Sequence, residues 1–167
     1  GSANWTEFIR NAWTFVGDTA HYYLLDARDI AQTTWDPCDA RDGTHECPHQ
    51  IQQFPYTHSD STETSHQTFY DTYNCSPANE GGPERVYVLN VREPGTLSIS
   101  IEVEDEERVD PDIHLLSGDD QNACLARGHR EVVTRVVPGR YLIMVDTWVG
   151  DDGVARAGEY TLSVDLN

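Results

Sequence analysis

From Arg85 to Leu166 the chain repeats one pattern, short runs of alternating apolar and polar residues, each closed by a turn signal. Leu97, Ile99, Ile101 and Val103 alternate with Thr96, Ser98, Ser100 and Glu102. Successive side chains of a strand point to opposite faces, so this run predicts a sheet with one face in a core and the other polar. Arg85 to Val91 predicts the strand before it, ended by Glu93-Pro94-Gly95. Ile113 to Leu116, stopped by Ser117-Gly118-Asp119-Asp120, and residues 123–127 predict two shorter ones. Glu131 to Val137 stops at Pro138-Gly139, and Arg140 to Asp146 is apolar on both faces, which places it centrally in a sheet. Tyr160, Leu162, Val164 and Leu166 put one side of the last run in the core. About seven short strands with regular turns and no crossover helix predict an all-β, two-layer antiparallel sandwich and argue against a parallel α/β fold.

Upstream the pattern fades. Residues 36–68, with Asp36-Pro37-Cys38-Asp39, Asp42-Gly43-Thr44 and Ser59-Asp60-Ser61, predict turns and loop. A loop of that length needs a disulfide, a metal or a function to offset its ordering entropy. Residues 3–35 hold Trp5, Trp13 and Trp35, and suit either a hairpin of Trp13–Asp18 with His21–Asp26 or a short helix capped by Asn4 and Glu7. The expected division is an aromatic, loop-rich extension over 3–70, packed on a β-sandwich over 71–167.

Charge narrows the partners. The chain has 29 acidic and 11 basic residues, a formal net charge of −18. Nucleic acid and anionic membrane both require a basic surface, so neither is an expected partner. No apolar run approaches the roughly 20 residues of a membrane-spanning helix, so membrane insertion is not expected either. Converging carboxylates raise one another's pKa unless a cation shares their site. Four cysteines, Cys38, Cys47, Cys75 and Cys124, are too spread for a paired-knuckle zinc ribbon. Of their three possible pairings, Cys38 with Cys47 and Cys75 with Cys124 is favoured, the first closing a short loop. That reading implies an oxidising compartment, hence a secreted or cell-surface protein; reduced thiols in a cytosolic protein are the alternative.

One set of motifs occurs in a recognisable order: Tyr73-Asn74-Cys75, Gly82-Pro83-Glu84-Arg85-Val86-Tyr87, Asp110-Pro111-Asp112-Ile113-His114-Leu115-Leu116, Asn122-Ala123-Cys124-Leu125-Ala126, Pro138 to Asp146, and Gly158-Glu159-Tyr160-Thr161-Leu162. Over about 73–166 the chain resembles the bacterial pre-peptidase C-terminal domain family. The resemblance implies a jelly-roll-like sandwich, a non-catalytic appendage of secreted proteins, and in some members bound calcium or a matrix or polymer substrate. It also implies metal ligands in the lead-in and the loop between the second and third sandwich strands, here Asn79, Glu80, Asp110 and Asp112. Calcium takes six to eight hard oxygens, which such a set begins to supply. The competing account is that Asp110 and Asp112 only accept backbone N–H groups in turns.

Other chemistry is weaker. His45, Cys47 and His49 alternate near Cys38 and offer zinc ligands if the thiols are reduced; a Cys38–Cys47 bridge would leave His45 and His49 alone. His58 and His66 form no motif. GxSxG and a phosphate-binding Gly-rich loop are both missing from the sequence. Trp148 could stack on a sugar or peptide with Tyr22, Tyr23 or Tyr56, or pack under the Gly150–Gly153 loop. The expected function is a calcium-stabilised, secreted, non-catalytic accessory or binding module with an extracellular protein, peptide or polysaccharide partner. The alternatives are a small metal-dependent hydrolase using the loop histidines, or a surface adhesion fragment binding glycan or protein.

Overall fold

The computed structural model describes Cys38 and residues 41–167. The hairpin or helix expected within 3–35, and Tyr22 and Tyr23, lie outside the described residues. A compact unit spans Pro37–Asn167. Its strands in chain order are β1 (His49–Ile51), β2 (Tyr56–Ser61), β3 (Arg85–Val91), β4 (Gly95–Glu102), β5 (Pro111–Leu116), β6 (Cys124–Gly128), β7 (Glu131–Val136), β8 (Gly139–Thr147) and β9 (Glu159–Leu166). They form a five-stranded sheet in the order β1-β3-β8-β5-β6 and a four-stranded sheet in the order β2-β9-β4-β7. The pairs are antiparallel except β1 with β3, which is parallel.

The alternation assigns the faces. Tyr87, Leu89, Ile113, Leu115, Ile143 and Val145 of the larger sheet pack against Leu97, Ile99, Ile101, Tyr160, Leu162 and Val164 of the smaller one in a single core. The polar positions between them in β4 and β9 line the outside of the smaller sheet. Strand β8 lies between β3 and β5, as its two apolar faces require. Its outer positions Leu142 and Met144 join Val86, Val88 and Leu116 in a second cluster with Tyr70 and Tyr73. That second cluster exists because residues 62–84 cross the outer face of the larger sheet as a strap. The Cys75–Cys124 bridge ties the strap to the start of β6, and Cys38–Cys47 closes the loop before β1.

The segment read as loop contains β1 and β2, which contribute an edge strand to each sheet. Period two is present in β2, but its core-facing positions are Tyr56, His58 and Asp60, opposite Val164, Leu162 and Tyr160 of β9. Because two of the three are polar, the apolar signal that marks a half-buried strand is missing. β1 is only three residues long, and Ile51 is its one core residue.

Ile143 in β8 is fully buried, whereas Val137 at the end of the β7 run is 64% exposed. Ile143→Ala is expected to cost about 2–5 kcal/mol in urea unfolding, and Val137→Ala to stay within about 0.5 kcal/mol. Comparable losses at the two sites would contradict this assignment of faces.

Candidate metal centre

The outer face of β5 and β8 changes character along its length. At one end it is apolar; at the other, Asp112 and His114 of β5 and Asp146 of β8 project under the strap. Asp112 lies directly opposite Asp146 in the register. The strap adds Glu80 and Glu84, and these five polar side chains are each at most 1% exposed. Burying a carboxylate is unfavourable unless it is neutralised or hydrogen-bonded, so their partners decide what the site can do.

Backbone pairing sets the positions. Gly82 N–H donates to the Thr147 carbonyl at 3.2 Å, and the Val149 N–H donates to the Asn79 carbonyl at 2.9 Å. The strap therefore runs alongside the end of β8. A Cβ on Gly82 would lie 2.6 Å from the Thr147 carbonyl oxygen, so only glycine permits this approach. Trp148 N–H donates to the Asp110 carbonyl at 3.1 Å, which brings the residue before β5 to the same end.

Asp112 is shared there by two pairings, one with Glu80 and one with Asp110. Arg127 of β6 pairs with Asp112 and stands 3.9 Å from Glu80. His129 Nδ1 lies 3.1 Å from Asp110 Oδ1 and 3.2 Å from Asp112 Oδ1. Glu80 Oε2 is buried without a hydrogen-bond partner, whereas Asp110 Oδ1 has His129 beside it and Arg130 Nη1 at 3.7 Å. Asn79 stands apart: it is exposed, and its side-chain oxygen accepts from the Gly81 N–H at 3.0 Å.

The electrostatics follow from burial. Burial, and after it the Asp112 carboxylate, push the Glu80 carboxyl up to about 8, with Arg127 and Ser76 offsetting them only in part. Burial, then the charge of Glu84, hold Asp146 well above the usual carboxylate range, against the bonds it accepts from Tyr73 and the Thr147 N–H. Tyr73 donates to Asp146 Oδ2 at 2.6 Å and stacks on His114 with ring centroids 3.8 Å apart. Burial pulls His114 down to about 4, although Asp112 favours its charged form. Both its ring nitrogens are buried without a hydrogen-bond partner, so the ring serves as a flat packing surface beneath Tyr73.

The remaining candidates separate. His45 stacks on Phe69 at 4.0 Å and faces Glu84 at 3.3 Å, whereas His49 sits between Asp42 and Asp60 at 3.0 Å from each. The structure does not bring those two histidines together, and both nearby cysteines are in the Cys38–Cys47 bridge. Among the described residues two groups of side chains could hold a metal ion: Asp110, Asp112 and His129, and His49, His58 and Asp60. The sequence pattern gives Arg127 and His129 no role, places Asp60 in a loop and shows no motif for His58, because each meets its partners across strands. Trp148 is half-buried with its ring against Gly150, and Tyr56 has its ring neighbours in His58 and Tyr87. Among the described residues no serine or threonine hydroxyl bonds a histidine, so no Ser–His pair is set up for nucleophilic attack.

No protein-family model matches the chain, and no curated protein matches it. Among solved structures it is similar to the pre-peptidase C-terminal domain of collagenase from Bacillus anthracis, at 22% identity over 71% of this chain and 94% of that one, with a TM-score of 0.47. It is also similar to PliG of Aeromonas hydrophila, a periplasmic inhibitor of g-type lysozyme, at 12% identity over 72% and 96% of the two chains, TM-score 0.45. A third is CBM35 from Cellvibrio japonicus Abf62, at 11% identity over 60% and 84%, TM-score 0.32.

The burial of Glu80 has a pH signature. A carboxyl whose folded pKa exceeds its unfolded value stabilises the fold fully below the unfolded value and loses that contribution as pH rises through the folded one. For Glu80 the window runs from 4.5 to about 8. His114 acts the other way: its contribution is present above 6.5 and is lost as pH falls toward about 4. The two oppose each other below 6.5, and above it Glu80 and Asp146 act in the same direction. In chelator, stability is expected to fall by about 1–2 kcal/mol from pH 6.5 to 8, and less steeply in Glu80→Gln. Equal slopes in the two proteins, measured by denaturant unfolding, would show that Glu80 stays ionised throughout.

Proposed function

We propose that the chain is a secreted, non-catalytic accessory or binding module of the pre-peptidase C-terminal type, jelly-roll-like in its winding, and locked by a calcium ion between the strap and β5. One observation carries this reading. At the strap–β5 junction Glu80 and Asp112 approach one arginine, Arg127, Asp110 and Asp112 approach one histidine, His129, and Glu80 Oε2 is buried without a hydrogen-bond partner. Unpaired hard oxygens from separate segments are what calcium binds, with carbonyls and water completing six to eight ligands.

In this reading Glu80, Asp110 and Asp112 ligate through carboxylates, and Asn79 joins by releasing the Gly81 N–H. Arg127, about one-third exposed, is the internal counter-ion of the calcium-free form and turns to solvent when the ion enters. The ion would hold Glu80 ionised and fasten the strap over the sheet, with the Cys75–Cys124 bridge restraining its other side. The module's partner is then an extracellular protein, peptide or polysaccharide, for which the net charge of −18 favours a neutral or basic surface.

Calcium at about a hundredfold excess over its Kd is expected to raise the melting temperature by about 5–10 °C, and Asp110→Asn to remove most of that rise. Asp110 is the ligand to replace because it is part-exposed, whereas Asp112 also neutralises Arg127. An unchanged melting temperature with calcium, or the same rise in Asp110→Asn, would remove calcium from this site.

A further inference from the structure

A second polar assembly lies on the other side of the larger sheet, where the edge strands β1 and β2 face each other across the gap between the sheets. His49 leads β1, and its ring packs against Gly43, where a Cβ would lie 2.5 Å from Nε2. Gly43 has φ of 80°, the left-handed region, so two separate constraints demand glycine there. His49 Nδ1 is 3.0 Å from Asp42 Oδ2, and its Nε2 is 3.0 Å from Asp60 Oδ2. His58, two residues before Asp60 on the same face of β2, brings its ring centroid to 4.6 Å from that of His49.

We propose that His49, His58 and Asp60 form a binding site for a divalent transition metal of the zinc class, distinct from the acidic cluster under the strap. One ligand atom from each of the three lies within 4.8 Å of the others. Tetrahedral zinc with bonds of roughly 2.0–2.2 Å sets ligand atoms about 3.4 Å apart, so closure needs side-chain shifts of about an ångström. Two imidazoles and one carboxylate suit zinc, nickel or cobalt better than calcium, which takes oxygen.

The far nitrogens of both rings are already held. Zinc-bound imidazoles usually have their other nitrogen held by a carboxylate or another polar group, which orients the ring. Asp42 holds His49 Nδ1 in this way, directing Nε2 to Asp60. The Tyr87 hydroxyl holds His58 Nδ1 at 3.0 Å and is itself bonded to the Tyr160 hydroxyl at 2.8 Å, inside the core. That leaves Nε2 of His58 as its free nitrogen. Arg85 Nε stands 3.4 Å from Asp60 Oδ2, the oxygen His49 also approaches, and donates to the Ser61 carbonyl, which fixes the guanidinium beside the carboxylate. With neutral imidazoles, Asp42 and Asp60 against Arg85 leave one net negative charge, which favours a dication. Asp60 also lines an open groove of about 620 Å³ with Glu102, Glu104, Glu159 and Tyr160, which gives an ion a route from solvent. Three protein ligands leave the fourth position to water.

The test is calorimetric titration of the whole chain with zinc alone, in excess calcium to fill the acidic cluster. One zinc per chain is expected, with His58→Gln and Asp60→Asn each weakening it at least about tenfold, and His129→Gln, in the other cluster, leaving it unchanged. Cobalt should give the intense visible absorption of a four-coordinate site in the wild type and lose it in His58→Gln. His58 is half-buried on an edge strand, so circular dichroism of His58→Gln is expected to match the wild type. Absence of one-to-one uptake by the wild type would overturn the proposal, as would zinc binding that His129→Gln abolishes and His58→Gln leaves intact.

Discussion

The structure turns on how acidic side chains are buried beneath a strap. Strand β8 is central and must be covered on both faces, yet its outer side and that of β5 carry Asp112, His114 and Asp146, each at most 1% exposed. An isolated charge there would be prohibitive, and several neighbouring features answer it. Tyr73 donates to Asp146, Arg127 and His129 meet Asp112, and Gly82 lets the strap close against Thr147. The apolar half of the same face, with Tyr70, Leu142 and Met144, anchors the strap through ordinary burial. The polar half makes its closure sensitive to the protonation of Glu80 and Asp146.

The strand framework was legible in the sequence because one face of each strand is apolar and turns are marked by Gly and Pro. Leu97, Ile99 and Ile101 needed only period two, and β8 showed its central place by having two apolar faces. The edge strands were not legible. β2 sends His58 and Asp60 inward, and β1 is too short for any period to register. Glu80, Asp110 and Asp112 entered through a family resemblance; Asp112 lies beside Asp110 at His129 and shares Arg127 with Glu80, and Asn79 stays in its own turn. Arg127 and His129 could have been found only from the pairing of β5 with β6, which sets Ile113 against Gly128 and His114 against Arg127. Sequence spacing carries no such register.

The two polar assemblies differ in chemistry as well as place. The one under the strap is rich in carboxylate oxygen and borrows its positive charge from Arg127, an arrangement suited to exchange with a hard cation. The one between the sheet edges is built around imidazoles whose far nitrogens are held by Asp42 and Tyr87, an arrangement suited to a borderline metal. Both lie where a strand edge or a strap would otherwise be free to open, so in each case an ion would act first on the stability of the sandwich and then on the surface it presents.

The most direct measurement is a crystal structure of the chain grown with calcium, with the ion identified by its anomalous signal. The account predicts one calcium within about 2.3–2.6 Å of carboxylate oxygens from Glu80, Asp110 and Asp112, with Arg127 turned away from Asp112. Arg127 still paired with Asp112, and no ion among those three carboxylates, would contradict it.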